Sequence, residues 1–307
     1  MTGVVRVGMF LPRDVNSAST EVVKEVLGRM DDAGLDHVGV ADHVSFHTGW
    51  GQDGLIEATA LAMLNERLPV YVGVYLLALR HPVTVARELA QFAVRAPGRL
   101  TLGVGVGGED RHEIEVCGID PRTRGRRTDE CLAILRGLAG GAALSFDGAF
   151  YQLEAARVIP APEPRIPLIV GGRDARALRR AGRFGDGWLG IWSTPEKYGE
   201  WLRTVDAEAA AAGRTDFARD HGLQLWCGFG ESETTAREAV GAAMENMYRL
   251  PSERFERFTP AGTAETIAAY LRPYVEAGCR TFNVAAQAVR WEAAVEGLAE
   301  VRRLLNA

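Results

Sequence analysis

Short apolar runs rich in β-branched residues alternate with longer stretches of helical period from one end of this chain to the other, and few folds accommodate that rhythm. The strand-like runs are Val4–Leu11, His37–Ala41, Val70–Leu77, Leu100–Val106, Pro167–Val170, Gly187–Ile191, Leu223–Phe229 and Arg280–Ala285. Between them apolar residues recur three and four apart, as at Val22, Val23, Val26, Leu27 and Met30, the spacing of one helical face. Pro82 stands where a helix can open without losing a hydrogen bond, and Gly34 and Gly278 close the helices before them. Strands alternating with helices imply parallel pairing and right-handed crossovers. Runs that are apolar at nearly every position belong to strands covered on both faces. Eight such units predict an α/β fold, a (β/α)8 TIM barrel, with an open doubly wound sheet as the competitor.

Two stretches add to this scheme. Ser145–Leu153 places two short β-like runs around Asp147-Gly148, a hairpin signal, and Pro160, Pro162, Pro164 and Pro167 stiffen the return to the barrel. Thr263–Ala277 is an extra helix between the last two strands. Neither marks a boundary, so one domain is expected over residues 1–307, a length that a single α/β barrel reaches.

The formal net charge of -5 argues against a nucleic-acid partner, which would want a basic face. Cys117, Cys131, Cys227 and Cys279 form no C-x-x-C pair, and no histidine pair has zinc spacing, so neither a disulfide framework nor a metal is expected. No apolar run approaches the ~18 residues of a spanning helix, and no basic-then-apolar leader opens the chain; no membrane partner and a cytoplasmic location are expected.

Barrel enzymes keep their chemistry at the C-terminal ends of the strands. The second run ends in Asp42-His43, a carboxylate beside a ring that moves protons near neutral pH; a capping Asp and a packed His are the bland alternative. The third contains Gly73-Val74, and a glycine inside a strand marks a bulge or a close backbone approach. The fourth ends in Gly103, Gly105, Gly107 and Gly108, followed by Glu109, a candidate acid or base. Gly171 and Gly172 close the fifth run just before a helix, where backbone N–H groups can meet a phosphate, with Arg173 adding charge. Arg80 and His81 are read as positioning and surface residues. The clusters Arg122, Arg124, Arg126, Arg127 and Arg179, Arg180, Arg183 are read as solvated faces.

Taken together, Val40-Ala-Asp42-His43, Val72-Gly-Val74 through Arg80-His81-Pro82, Gly98-Arg99 through Gly105, Gly125-Arg-Arg-Thr-Asp-Glu130, Pro167 through Gly172, Asp186-Gly187-Trp188 and Gly262-Thr-Ala-Glu resemble, in content and order, the luciferase-like monooxygenase superfamily, and within it the F420-dependent oxidoreductases. The resemblance implies that coenzyme F420 is the cofactor, with FMN the alternative, and that a small organic molecule exchanges a hydride with the deazaflavin C5. It implies that Asp42 contacts the ring system, that His43 stands beside the reacting carbon, and that Gly73–Val74 backs the ring through a non-prolyl cis peptide. It further implies that Gly107, Gly108 and Glu109 line the cofactor, with Glu109 a proton donor, that Gly171 and Gly172 cradle its phosphate, and that the chain forms a homodimer. A non-catalytic flavin-binding barrel is a second reading. A Schiff-base aldolase is disfavoured, since Lys24 and Lys197 both fall on helical stretches.

Overall fold

The computed structural model describes every residue except 1–2, 13–14, 16–17, 48 and 109. Eight strands carry the fold: β1 (Arg6–Phe10), β2 (Val38–Val40), β3 (Val70–Leu76), β4 (Leu100–Gly105), β5 (Leu168–Gly171), β6 (Gly187–Gly190), β7 (Gly222–Phe229) and β8 (Thr281–Gln287). Hydrogen bonding orders them β6-β5-β4-β3-β2-β1-β8-β7, and β7 pairs back with β6, which closes the parallel barrel expected from the alternation. A two-residue strand, Ala261–Gly262, adds to the edge of β7.

Two compact units divide the chain: Met1–Gly39, Leu189–Thr204 and Asp220–Ala307 form one, and Val40–Trp188 with Val205–Arg219 the other. In the first, β8 is sandwiched between β1 (Val7 opposite Phe282) and β7 (Leu225 opposite Val284). Its core includes Met9, Leu27, Met30, Phe282, Val284 and Leu298, all fully buried. In the second, β4 lies between β3 (Val70 opposite Leu100) and β5 (Leu102 opposite Leu168). In β3 every residue is buried except Val74, which is half-buried.

Local chemistry sets the helix starts that matter below. Helix α2 (Gly54–Leu64) is capped by Asp53, whose Oδ1 accepts the amides of Leu55 and Ile56 at 3.0 Å each. Helix α3 (Pro82–Arg95) opens on Pro82 as the sequence predicts. A short helix, α4 (Arg111–Val116), follows β4 and has no counterpart in the sequence reading; Asp110 caps it by accepting the His112 amide at 2.9 Å. Helix α5 (Arg124–Leu138) buries Cys131, Leu132, Leu135 and Leu138, and α6 (Ala175–Phe184) follows β5.

The expected hairpin pairs Leu144–Asp147 with Gln152–Ala156. Its turn is held by Glu130 of α5, whose carboxylate accepts the amides of Ala149, Phe150 and Tyr151 at 2.9, 3.0 and 3.2 Å. Two helices, Glu233–Tyr248 and Ala264–Glu276, lie between β7 and β8, as the extra helix required. Among the described residues, no helix is long and apolar enough to cross a membrane.

Candidate active site

The chain leaves β2 through Asp42 and His43, and these neighbours are used in opposite ways. Asp42 is 2 % exposed and its carboxylate is saturated by its own chain. Oδ1 accepts from the Gly54 amide at 2.9 Å and Arg80 Nη2 at 2.8 Å; Oδ2 accepts from the Leu76 amide at 2.8 Å and Arg80 Nη1 at 2.6 Å. Burial pushes this carboxyl up, and the bidentate guanidinium with the two amides pulls against it. Arg80 Nη2 also donates to Asp53 Oδ2 at 3.0 Å and its guanidinium lies 4.4 Å from the centre of the Tyr75 ring. One carboxylate therefore fastens the end of β2 to the start of α2 through the Gly54 amide and to the end of β3 through the Leu76 amide, with Arg80 as its counter-charge. The expectation that Asp42 itself touches a cofactor ring meets a side chain with no lone pair to spare. Arg80, which the sequence reads as a positioning and surface residue, is a half-buried partner in this network.

His43 faces a different setting. It begins a two-stranded hairpin, His43–Phe46 with Trp50–Gln52. His47 and Gly49, at φ 49° and 88°, carry the reversal. The imidazole is tilted against Phe46, with ring centres 4.1 Å apart, and lies 5.8 Å from Trp50. Its Nδ1 is within 3.2 and 3.1 Å of the two carboxylate oxygens of Glu113 on α4. Glu113 is 2 % exposed and also accepts the amides of Val44 at 2.7 Å and Ser45 at 3.2 Å. Burial works to raise its carboxyl, but His43 and those amides outweigh it and hold it below the usual glutamate range. An ionised Glu113 accepts the Nδ1–H and so fixes the tautomer of the ring. Nε2 has no partner among the described residues, so neutral His43 presents a bare acceptor there and protonated His43 a donor.

The glycine signals lead to three places. The Gly73–Val74 bond is cis, and the β3–β4 register shifts between Val72 and Tyr75. Gly103 and Gly105 of β4 make the room for it: a Cβ on Gly103 would lie 2.3 Å from the Val72 carbonyl, and one on Gly105 2.3 Å from a Val74 methyl. Gly107 and Gly108 both take positive φ, 67° and 143°, beside Arg124, whose Nε donates to the Gly107 carbonyl at 3.4 Å. Gly172, at φ 124°, packs so closely on Ala177 that a Cβ would lie 2.6 Å away, and its carbonyl accepts the Trp188 indole at 2.6 Å. Asp174 already caps α6 by accepting the Ala177 amide at 2.7 Å, and Gly171 ends β5 half-buried. Glu109, the second expected acid, lies outside the described residues; the carboxylate that meets His43 belongs to Glu113.

The arginine clusters are only partly solvated faces. Arg180 is 5 % exposed, donates from Nε to Asp129 at 2.6 Å and from Nη2 to the Gly125 carbonyl at 3.0 Å. Arg127 lies over the Phe150 ring, 4.6 Å from its centre. Phe150 of the inserted hairpin thus accounts for Arg126 and Arg127 of one basic cluster, and Asp129 for Arg180 of the other.

Residues 5–248 match the family model described as luciferase-like monooxygenase. The chain belongs to the luciferase-like monooxygenase family. Among its relatives, an F420-dependent glucose-6-phosphate dehydrogenase of Beutenbergia cavernae is 32% identical over 252 residues, 73% of this chain and 74% of that protein. An uncharacterised protein of Mycobacterium bovis is 34% identical over 166 residues, 54% of this chain; the chain spans 57% of the length of that relative. Among solved structures, an F420-dependent secondary alcohol dehydrogenase in complex with an F420-acetone adduct superposes with a TM-score of 0.85 at 19% identity, covering 99% of this luciferase-like chain and 100% of the other.

Proposed function

We propose that this luciferase-like protein is an oxidoreductase that uses coenzyme F420 to exchange a hydride with a small organic substrate, and that His43 handles the accompanying proton. The observation that carries the reading is the His43–Glu113 pair: a buried carboxylate holding Nδ1 at 3.1 Å while Nε2 has no partner among the described residues. A related F420-dependent dehydrogenase at 32% identity supports the choice of cofactor.

The residues present fit a flat ring. Val74 is the one half-buried position of an otherwise buried strand, cleared on its flank by Gly103 and Gly105. Gly73 and Val74 would hold the ring's face, Gly107 and Gly108 its edge, and Gly171 and Gly172 the phosphate end, with Asp42 holding the end of β3 in place through the Leu76 amide and Arg80. When bound, the deazaflavin supplies two-electron hydride chemistry. The protein's part is acid–base chemistry. With Glu113 accepting Nδ1–H, Nε2 of His43 takes a proton from an alcohol in the oxidative direction and returns it to a carbonyl oxygen in the reductive one. Positioned proton transfer of this kind is worth about 10²–10⁴ in rate.

Fluorescence titration of the purified protein with F420 and, separately, with FMN tests the cofactor. Saturable F420 binding is expected; tight FMN binding with none for F420 overturns the reading in favour of a flavin monooxygenase. Following F420 reduction by a panel of alcohols, and F420H₂ oxidation by ketones, enones and imines, then identifies the substrate class.

A further inference from the structure

A second charged site lies away from His43, between α5, α6 and the inserted hairpin. Asp129, Glu130, Ala133 and Phe146 line one side of a groove of about 210 Å³; Arg176, Arg179, Arg180, Arg183 and Phe184 line the other. Both carboxylates are already committed. Asp129 pairs with the buried Arg180, and Glu130 spends its oxygens on three backbone amides of the hairpin turn. Arg176, Arg179 and Arg183 are exposed and form no ion pair or side-chain hydrogen bond among the described residues; Arg183 only lies over the Phe184 ring, at 5.3 Å.

These three sit at i, i+3 and i+7 of one helix, so they project over the same face. Like charges at that spacing repel, which makes the arrangement costly to the helix unless an anion occupies it. Guanidinium forks match a group with several oxygens better than a lone carboxylate, and a phosphate dianion offers three acceptor oxygens. Phe146 and Phe184 supply apolar walls for whatever the phosphate is attached to. The volume is below the ~300–1,000 Å³ of a drug-sized pocket, which limits the ligand to something small.

We infer that this groove binds a small phosphate monoester through Arg176, Arg179 and Arg183, at a site separate from the His43–Glu113 pair. The inference stands whether or not the proposed cofactor is correct. The test is calorimetric titration of the purified protein with inorganic phosphate and with phenyl phosphate, each at constant ionic strength set with sodium chloride. Phenyl phosphate is expected to bind more tightly than inorganic phosphate, because its ring meets the two phenylalanines. Since a hydrogen bond to a charged group contributes about 1.5–3 kcal/mol, each of Arg179→Ala and Arg183→Ala should weaken binding about tenfold or more. Circular dichroism and melting temperature check that these exposed-face variants stay folded. F420 titration of the same variants, unchanged from the parent, separates this site from the proposed cofactor site. Binding no stronger than that of chloride, or binding unaltered in the Arg176→Ala/Arg179→Ala/Arg183→Ala protein, overturns the inference. So does binding to vesicles containing phosphatidic acid, measured by co-sedimentation, with none to phenyl phosphate, which makes the face a lipid-headgroup surface.

Discussion

His37 and His43 stand six residues apart in sequence, one just before β2 and one just after Asp42, and they show how setting alone turns the same side chain to opposite uses. His37 is 5 % exposed, meets Asn283 Oδ1 at 3.3 Å, and packs where a Cβ on Gly8 would lie 2.3 Å from its ring. Burial pushes its pKa down to about 4, with Arg6 adding to the effect and Asp36 opposing it, so it is neutral at physiological pH and has no proton to trade. His43 instead has a carboxylate on one nitrogen and, among the described residues, no partner on the other. The lesson is that a histidine in a barrel becomes chemical through a partner that fixes its tautomer while leaving one nitrogen open, and stays structural when packing closes over the ring.

The largest effect that sharpens this contrast is on rate. His43→Ala should lower kcat by about 10²–10⁴ with little change in melting temperature, whereas a destabilising change at His37 should leave kcat of the folded fraction near the parent value. Steady-state kinetics beside thermal melts decide it, and a parent-like kcat for His43→Ala would break the comparison. Next comes the neighbour of His43. Arg80→Met leaves Asp42 buried without its countercharge, and about 3–5 kcal/mol of stability should be lost in urea titration; adding Asp42→Asn should restore part of it.

Acid sensitivity ranks third. The unfolded chain protonates His37 near its ordinary pKa of 6.5, but the folded protein resists until about 4. Falling pH therefore favours the unfolded state across that window, and the loss should approach about 3 kcal/mol below it. Urea titrations of the parent between pH 7 and 4 should show this slope, and His37→Gln should flatten it even if its stability at pH 7 is lower. The smallest expected effect is at Glu113. Glu113→Gln keeps the size but replaces a pure acceptor with a group that also donates, so the imidazole is no longer held in one tautomer; kcat should fall about tenfold or more, with KM nearly unchanged. An equal fall with a changed KM would instead assign Glu113 to substrate binding.

Much of the architecture was legible because strands covered on both faces advertise themselves. β3 is buried at all but one position, and its predicted span, Val70–Leu77, overshoots the observed strand by one residue. Helix α3 opens at Pro82 as the sequence predicts, since a missing N–H costs nothing at a first helical position. The pair at the heart of the site was half legible. Asp42-His43 stood out as a dipeptide at a strand end, but Glu113 lies 70 residues from His43, and no local pattern announces a contact that only the folded chain makes. Glu109 stands out in the sequence because it directly follows the glycines, whereas α4, a helix of six residues, is too short to show periodicity. The hairpin from His43 to Gln52 escaped for a related reason: its turn lacks the Asn-Gly or Asp-Gly signal by which short hairpins are recognised. Arg180 reads as surface in the sequence because helix position alone does not reveal that Asp129 of another helix faces it.

Gly103 and Gly105 sit on one side of β4 with Val74 leaning over both, and this ties three positions into a single locus for change. A side chain at position 105 has nowhere to go while a branched residue occupies 74, and a bulkier residue at 74 finds the same wall from the other direction. Variation there should arrive in matched pairs, such as Val74→Ala with Gly105→Ala, so that any remodelling of this strand end is gated by which of the two substitutions can be tolerated first.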